Sequence, residues 1–263
     1  MSIIEKVFNV SGKVVVLTGG LGILGTVFAK ALSEGGAKVA ILELKEGTLN
    51  GENIIVYKTD ITKRKSLEET LAKIKKDLGT PNVLINCAAI DFPPNFNSGE
   101  SGLIETDDAE EMYDKVMEVN VKGLLLCSQV FGNEMAKNSG GSIINISSIY
   151  GIISPDQRIY PEKNGKKFIK PIAYTVSKSA LFGLTRYLAT YWASKNVRVN
   201  VLTFGGVFNG QDPEFVKNYS SKVPLGRMAN KEDYIGAILF LASDASSYMT
   251  GSNMIIDGGY TAW

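Results

Sequence analysis

Alternation constrains this chain more than any other feature: short β-branched runs and longer amphipathic stretches succeed one another almost without interruption. Lys13-Val14-Val15-Val16-Leu17-Thr18 shows no polar alternation, as expected of a strand buried on both faces of a parallel sheet. Glycines follow at once, at Gly19, Gly20, Gly22 and Gly25. A helix opening near Gly22 carries Leu24, Val27, Phe28, Ala31 and Leu32 on one side, and the pair Gly35-Gly36 ends it. Further strands are expected over 39–42, 54–57, 83–85, 142–146, 197–202 and 254–256, with helical stretches between them. Such βα units in series specify an α/β fold, a doubly wound parallel sheet of about seven strands whose ligand lies at the carboxyl ends of the strands.

No linker, repeat or low-complexity segment divides the 263 residues, so a single domain, 1–263, is expected, with long loops near 90–106, 149–172 and 204–222. The chain has no histidine, which removes Ser-His-Asp and Cys-His chemistry and most zinc sites together; no metal is expected. A net charge of +1 calls for neither nucleic acid nor an anionic membrane, leaving a small molecule as the partner. Cys87 and Cys127 read as small buried hydrophobes in a reducing cytoplasm. Residues 1–12 lack a signal-type apolar run and no stretch approaches the roughly 18 apolar residues that span a bilayer, so a soluble, cytoplasmic protein is expected.

The glycine turn has two readings, a merely structural βα connection or a diphosphate cradle in which backbone N–H groups meet the ligand at a helix N-terminus. Glu43, at the end of the second strand and about 20 residues past the turn, suits the hydroxyls of an adenosine ribose. Its charge would repel a 2′-phosphate and so favours NAD over NADP, with Lys45 as the counterweight. Asp60 either contacts the adenine or caps the helix beginning about Lys63.

In 173–180 a helix would set the Tyr174 phenol and Lys178 ammonium on one face, four residues apart. A nearby cation favours phenolate and would draw the tyrosine from its usual ~10 toward neutrality; ordinary surface packing is the alternative. Asn120 sits inside a long helix expected from the cap Asp107 to about Lys137, either for a function or as an ordinary buried hydrogen bond. The stretch 149–172 holds Arg158, Lys163, Lys166, Lys167 and Lys170, a receptor for phosphate or carboxylate or a solvated basic loop.

These residues together resemble the short-chain dehydrogenase/reductase family over nearly the whole chain: Thr18-Gly19 with Gly25, Asp60, Asn86-Cys87-Ala88-Ala89, Asn120-Val121-Lys122-Gly123, Ser148, Tyr174 with Lys178, Arg198-Val199-Asn200 and Asp257-Gly258-Gly259. The resemblance implies a Rossmann-type fold and a catalytic tetrad. Tyr174 is its general acid or base, Lys178 its pKa-lowering and ribose-binding partner, Ser148 (rather than the adjacent Ser147) the donor to the reacting oxygen, and Asn120 the holder of a relay water. It also implies cofactor contacts at Gly19, Gly22, Ile23, Leu24, Gly25, Glu43, Asp60, Ile61, Asn86, Ala88, Tyr174, Lys178 and the backbone of Val207. Homotetramers or homodimers built on the two long helices, 107–137 and 173–195, are implied as well.

Three departures stand out. Gly22-Ile23 replaces the compact branch's usual spacing with one more like the nucleotide-sugar branch; Phe204 and Asn209 replace a usual proline and threonine; and 149–172 is an insertion between Ser148 and Tyr174. Its Ser-Ser-Ile-Tyr-Gly and Pro-Asp-Gln-Arg-Ile-Tyr segments are similar to oxidoreductases of flagellin-modification and surface-sugar pathways. The implied activity is NAD(P)-dependent hydride transfer on a secondary alcohol or ketone, with a phosphorylated or nucleotide-linked sugar as substrate. An epimerase working through transient oxidation and a non-catalytic dinucleotide-binding protein are the alternatives.

Overall fold

The structure, a computed structural model, describes residues 2–91, 109–163 and 165–263. Seven parallel strands form its sheet: β1 (Val14–Thr18), β2 (Lys38–Glu43), β3 (Ile54–Lys58), β4 (Val83–Asn86), β5 (Gly141–Ser148), β8 (Val197–Phe204) and β9 (Asn253–Ile256), in the order β3-β2-β1-β4-β5-β8-β9. A minor antiparallel pair, β6 (Glu162–Lys163) and β7 (Lys166–Lys167), lies outside that sheet. The chain first winds outward from β1 to β3, then returns to lay β4 on the other side of β1. That reversal opens a crevice at the carboxyl edge between β1 and β4.

Both sheet faces are covered, which explains the unbroken apolar runs. Val15 and Leu17 of β1 pack on one side with Phe28, Leu32, Ile41, Ile85 and Leu241, while Val14 and Val16 pack on the other with Leu84, Phe131, Ile143 and Trp192. The strand's two-residue period sorts them. Helices α2 (Ile23–Glu34) and α8 (Ile235–Ala242) supply the first layer; α3 (Arg64–Asp77), α5 (Leu124–Lys137) and α6 (Ile172–Trp192) supply the second. A short α1 (Ile3–Val7) precedes β1. Among the described residues no helix is long and apolar enough to cross a membrane.

Three local expectations change, and a fourth lies almost wholly outside the described residues. The helix expected over 107–137 is three pieces, α4 (Ala109–Met117), a π-helical turn Glu118–Gly123 and α5, and its expected cap Asp107 lies outside the described residues. Asp60 does not cap α3, whose N-cap is Lys63. The expected loop 204–222 contains α7 (Pro213–Ser220), capped by Asp212. Of the loop 90–106 only residues 90 and 91 are described.

The insertion 149–172 is not a solvated loop throughout. It holds two 3-10 turns, Ile149–Gly151 and Gln157–Ile159, and the β6–β7 pair. Ile149, Tyr150, Ile159 and Tyr160 are buried with Tyr219, Val223, Met228 and Tyr260 in a third, smaller core at the carboxyl edge of the sheet. Apolar and aromatic side chains at the start and in the middle of the insertion, with Phe168 packed against them, fasten it down.

Candidate active site

The glycine turn is built for close approach. Gly19 has φ +68°, and a Cβ there would stand 2.8 Å from Ala88 Cα; a Cβ on Gly25 would stand 2.2 Å from the Gly19 carbonyl oxygen. Thr18 Oγ1 accepts from the N–H groups of Cys87 and Ala88, tying the β1 exit to the β4 exit. Gly22 is the N-cap of α2 and offers no side chain to it, so the helix's first N–H groups are left for another acceptor. At the neighbouring strand Glu43 Oε1 accepts the Leu21 N–H at 2.8 Å, which holds its carboxylate against the turn. A cradle with no room for a Cβ, a bare helix N-terminus and a carboxylate at the next strand fit a dinucleotide.

The expected cofactor residues divide. Gly19, Gly22, Ile23, Leu24, Gly25 and Glu43 surround the turn, with Ala88 across from it. Asp60 makes an Asx turn, Oδ1 accepting from the N–H and hydroxyl of Thr62, while Ile61 packs beside Gly123. Asn86 turns away from the crevice: its side chain is 2% exposed and donates to Asn145 Oδ1 and Ser128 Oγ. Its side chain joins β4, β5 and α5, which leaves its backbone as the part that faces the β4 exit. Val207 lines the cavity, and its carbonyl already accepts from Gln211 Nε2 at 2.7 Å.

Helix α6 brings Tyr174 and Lys178 under the exit of β5. Ser148 lines the cavity with Tyr174, its hydroxyl accepting the Tyr150 N–H at 3.2 Å, whereas Ser147 Oγ donates to the Lys178 carbonyl at 3.0 Å. The two serines therefore do different work, and Ser148 is the one at the phenol. Lys178 Nζ donates to the Ile146 carbonyl at 2.9 Å and lies 5.7 Å from the Tyr174 ring centroid. Asn120, on the π-helical turn, accepts from Ile90 N–H and donates to the Ile90 carbonyl and to Ser177 Oγ, which in turn donates to the Tyr174 carbonyl. Both of its N–H donors are engaged, so its evident action is to fasten the β4 exit to the start of α6. A π-helical turn at such a place is a frequent mark of a functional site.

The electrostatics reverse one expectation. Burial pushes the Tyr174 phenol up from its ordinary value, the Asp91 carboxylate adds to the rise, and the Ser148 hydroxyl only partly opposes it. Burial also pushes Lys178 down, from 10.5 to about 8. The ammonium bonds a backbone carbonyl rather than the phenol, so in the chain as it stands Tyr174 is a protonated donor.

The β5–α6 side of the crevice opens into a cavity of about 540 Å³ at the carboxyl edge, within the range of small-molecule sites. Ser148, Tyr174 and Lys178 line it together with residues the sequence did not single out as ligands: Asp91, Tyr150, Tyr160 and Tyr219. Asp91, polar and just past a strand's carboxyl end, carried a usable signal; the tyrosines became recognisable only once the insertion and α7 met. Of the basic residues in the insertion, Arg158 pairs with Asp156 at the surface, but Lys170 is buried on the cavity wall. Cys87 also lines the cavity, its thiol pushed up by burial to about 11.

A family model described as "Enoyl-(Acyl carrier protein) reductase" matches residues 22–261. The NAD-dependent glycerol dehydrogenase of Listeria innocua is 36% identical, with 98% of this chain and 97% of that protein covered. Galactitol 2-dehydrogenase of Rhizobium johnstonii is 31% identical over 98% of this chain and 99% of that protein. The crystal structure of a short chain dehydrogenase from Leptospira borgpetersenii with bound NAD+ superposes with a TM-score of 0.83 at 34% identity, covering 95% and 93% of the two chains. The protein belongs to the short-chain dehydrogenase/reductase family and is an oxidoreductase.

Proposed function

We propose that the protein is an NAD-dependent dehydrogenase that oxidises a secondary alcohol of a neutral polyhydroxylated substrate to a ketone and reduces the ketone in the reverse direction. The observation that carries this reading is one cavity that Ser148, Tyr174 and Lys178 line together with Leu24, from the first turn of the helix that the glycine turn opens. The nicotinamide cofactor, when bound, accepts or returns the hydride. At the substrate the carbinol C–H pair leaves as that hydride, the C–O bond becomes C=O, and the hydroxyl proton passes to Tyr174 Oη. Ser148 Oγ holds the reacting oxygen, Lys178 supplies positive charge beneath the phenol, and Asn120 is a positioning residue. Because Tyr174 rests as a protonated phenol, oxidation, which needs it as acceptor, quickens as pH rises.

Glu43 beside the turn favours NAD over NADP by charge, and the NAD-dependent relative supports the same choice. The charges described on the cavity wall balance: Lys170 and Lys178 face Asp91 and Asp212. That balance, together with the glycerol and galactitol dehydrogenases among the relatives, favours a plain polyol over the phosphorylated or nucleotide-linked sugar expected from the sequence. We place the enzyme in the cytoplasm as a homotetramer or homodimer, a reading supported by the free cysteines and by the exposed, stacked Tyr187 and Tyr191 on α6.

The test is reduced-nicotinamide absorbance with NAD and NADP in parallel, against polyols, sugar phosphates and nucleotide sugars. NAD reduction by polyols is expected, and Glu43→Ala should narrow the preference for NAD over NADP. Turnover confined to phosphorylated or nucleotide-linked sugars would overturn the substrate reading.

A further inference from the structure

Tyr174 stands between two lysines. Lys178 follows it on the helix; Lys170 precedes it in the insertion, and its Nζ lies 4.3 Å from the Tyr174 ring centroid, nearer than the Lys178 Nζ at 5.7 Å. The Lys170 side chain is only 8% exposed, and its ammonium pairs with Asp91 at 2.5 Å. A buried lysine is rarely held without a stated partner, because desolvating the ammonium is costly. Here the chain also fixes the backbone: the Gln157 amide accepts the Lys170 N–H at 2.9 Å and donates to the Lys170 carbonyl at 3.4 Å. Pro171, the N-cap of α6, follows directly. The insertion thus delivers one cation to the cavity wall, and the segment after β4 delivers its counter-ion.

An ammonium carries three donors and a carboxylate accepts through two oxygens. The pair is nearly neutral, so an anionic substrate would have to displace Asp91 to gain from Lys170. A neutral hydroxyl beside the reacting one needs no such displacement, since its oxygen can accept from the ammonium while its proton is donated to the carboxylate. We propose that Lys170 and Asp91 form a specificity pair that reads a vicinal diol, selecting substrates with a hydroxyl on the carbon next to the one oxidised. This rests on the reading of the cavity as an alcohol dehydrogenase site and names the feature of the alcohol that the insertion recognises.

The experiment measures dissociation constants of 2,3-butanediol and 2-butanol by ligand-observed NMR in the NAD-saturated wild type and in Lys170→Met, Lys170→Arg and Asp91→Asn, with NAD binding of each variant as the check on folding. Charged hydrogen bonds of this kind give the wild type at least about tenfold preference for the diol. That ratio should fall toward one in Lys170→Met, recover in part in Lys170→Arg and drop in Asp91→Asn. In steady state the loss appears in KM more than in kcat. Equal binding of the two alcohols by the wild type, or an unchanged ratio in Lys170→Met that still binds NAD, would overturn the proposal. So would tighter wild-type binding of 2,3-butanediol phosphate than of the free diol. Selective diol binding without any alcohol oxidation would instead sink the dehydrogenase reading and leave the specificity pair standing.

Discussion

The two sides of the crevice are made differently. On the β1–α2–β2 side, the turn, the helix cap and Glu43 come from one continuous stretch, and their fit depends on what a Cβ would strike. On the other side, the cavity wall is gathered from the β4 exit, the insertion, α6, α7 and the segment after β8. The first side is local geometry, which changes little once the strand and helix form. The second is a satellite core of aromatic contacts, and its shape depends on several segments docking at once. If the first side holds cofactor and the second substrate, as proposed, the difference makes the two separable, and substitutions should be able to damage one and spare the other.

The strongest separation is expected from Tyr174→Phe. Removing the hydroxyl abolishes proton transfer, and turnover should fall by about 10²–10⁴-fold, while a fluorescence titration finds NAD affinity within a few-fold of wild type. Next comes the reverse case, Gly25→Val. With a Cβ only 2.2 Å from the Gly19 oxygen the turn must open; calorimetry should find NAD binding lost, and denaturant titration a destabilisation of about 1–3 kcal/mol.

A third substitution, Ile159→Ala, empties a side chain that is 1% exposed in the satellite core. Core truncations of this type cost about 2–5 kcal/mol, and hydrogen exchange should localise the loosening to the insertion. KM for the alcohol should rise with NAD affinity little changed. If NAD affinity fell in parallel, the two sides would not be separable.

The smallest effect concerns Lys178. Its folded value is pushed down from 10.5 to about 8, so between those values the unfolded state binds more protons and stability rises with pH. Below about 8 the cost of burying the ammonium is fully present; above it that cost is progressively relieved. The cofactor-free wild type should therefore gain in Tm relative to Lys178→Met as pH rises through that window. Parallel melting curves would show that the ammonium is not strained by burial.

Sequence legibility follows the same division. The seven strands, the α2 helix and its glycine turn could be read from periodicity and spacing, because parallel strands covered on both faces must be apolar throughout. Tyr174, Lys178 and Ser148 were placed by one helix and one strand exit. Three things were not legible. Asn120 lies on a π-helical turn that no hydrophobic period marks. Asn86 shares its motif with cavity-lining neighbours, Cys87 and Ala89, yet its side chain turns into the sheet. Lys170 reads as one more cation in a basic loop, and only its burial against Asp91 and the Tyr174 ring sets it apart. Local chemistry can be read from neighbours in sequence, whereas a contact between segments as distant as Asp91 and Lys170 depends on docking.

The central claim is that Tyr174 and its neighbours oxidise a carbinol carbon by direct, net hydride transfer. Polyols deuterated at each secondary carbinol carbon, incubated with the enzyme and NAD, test it directly when both the nicotinamide and the recovered polyol are analysed by NMR. The account predicts deuterium in the reduced nicotinamide, with a ketone formed in equal amount, and neither product in Tyr174→Phe. Deuterium retained in a polyol of inverted configuration, with no net reduced nicotinamide, would contradict it and identify an epimerase.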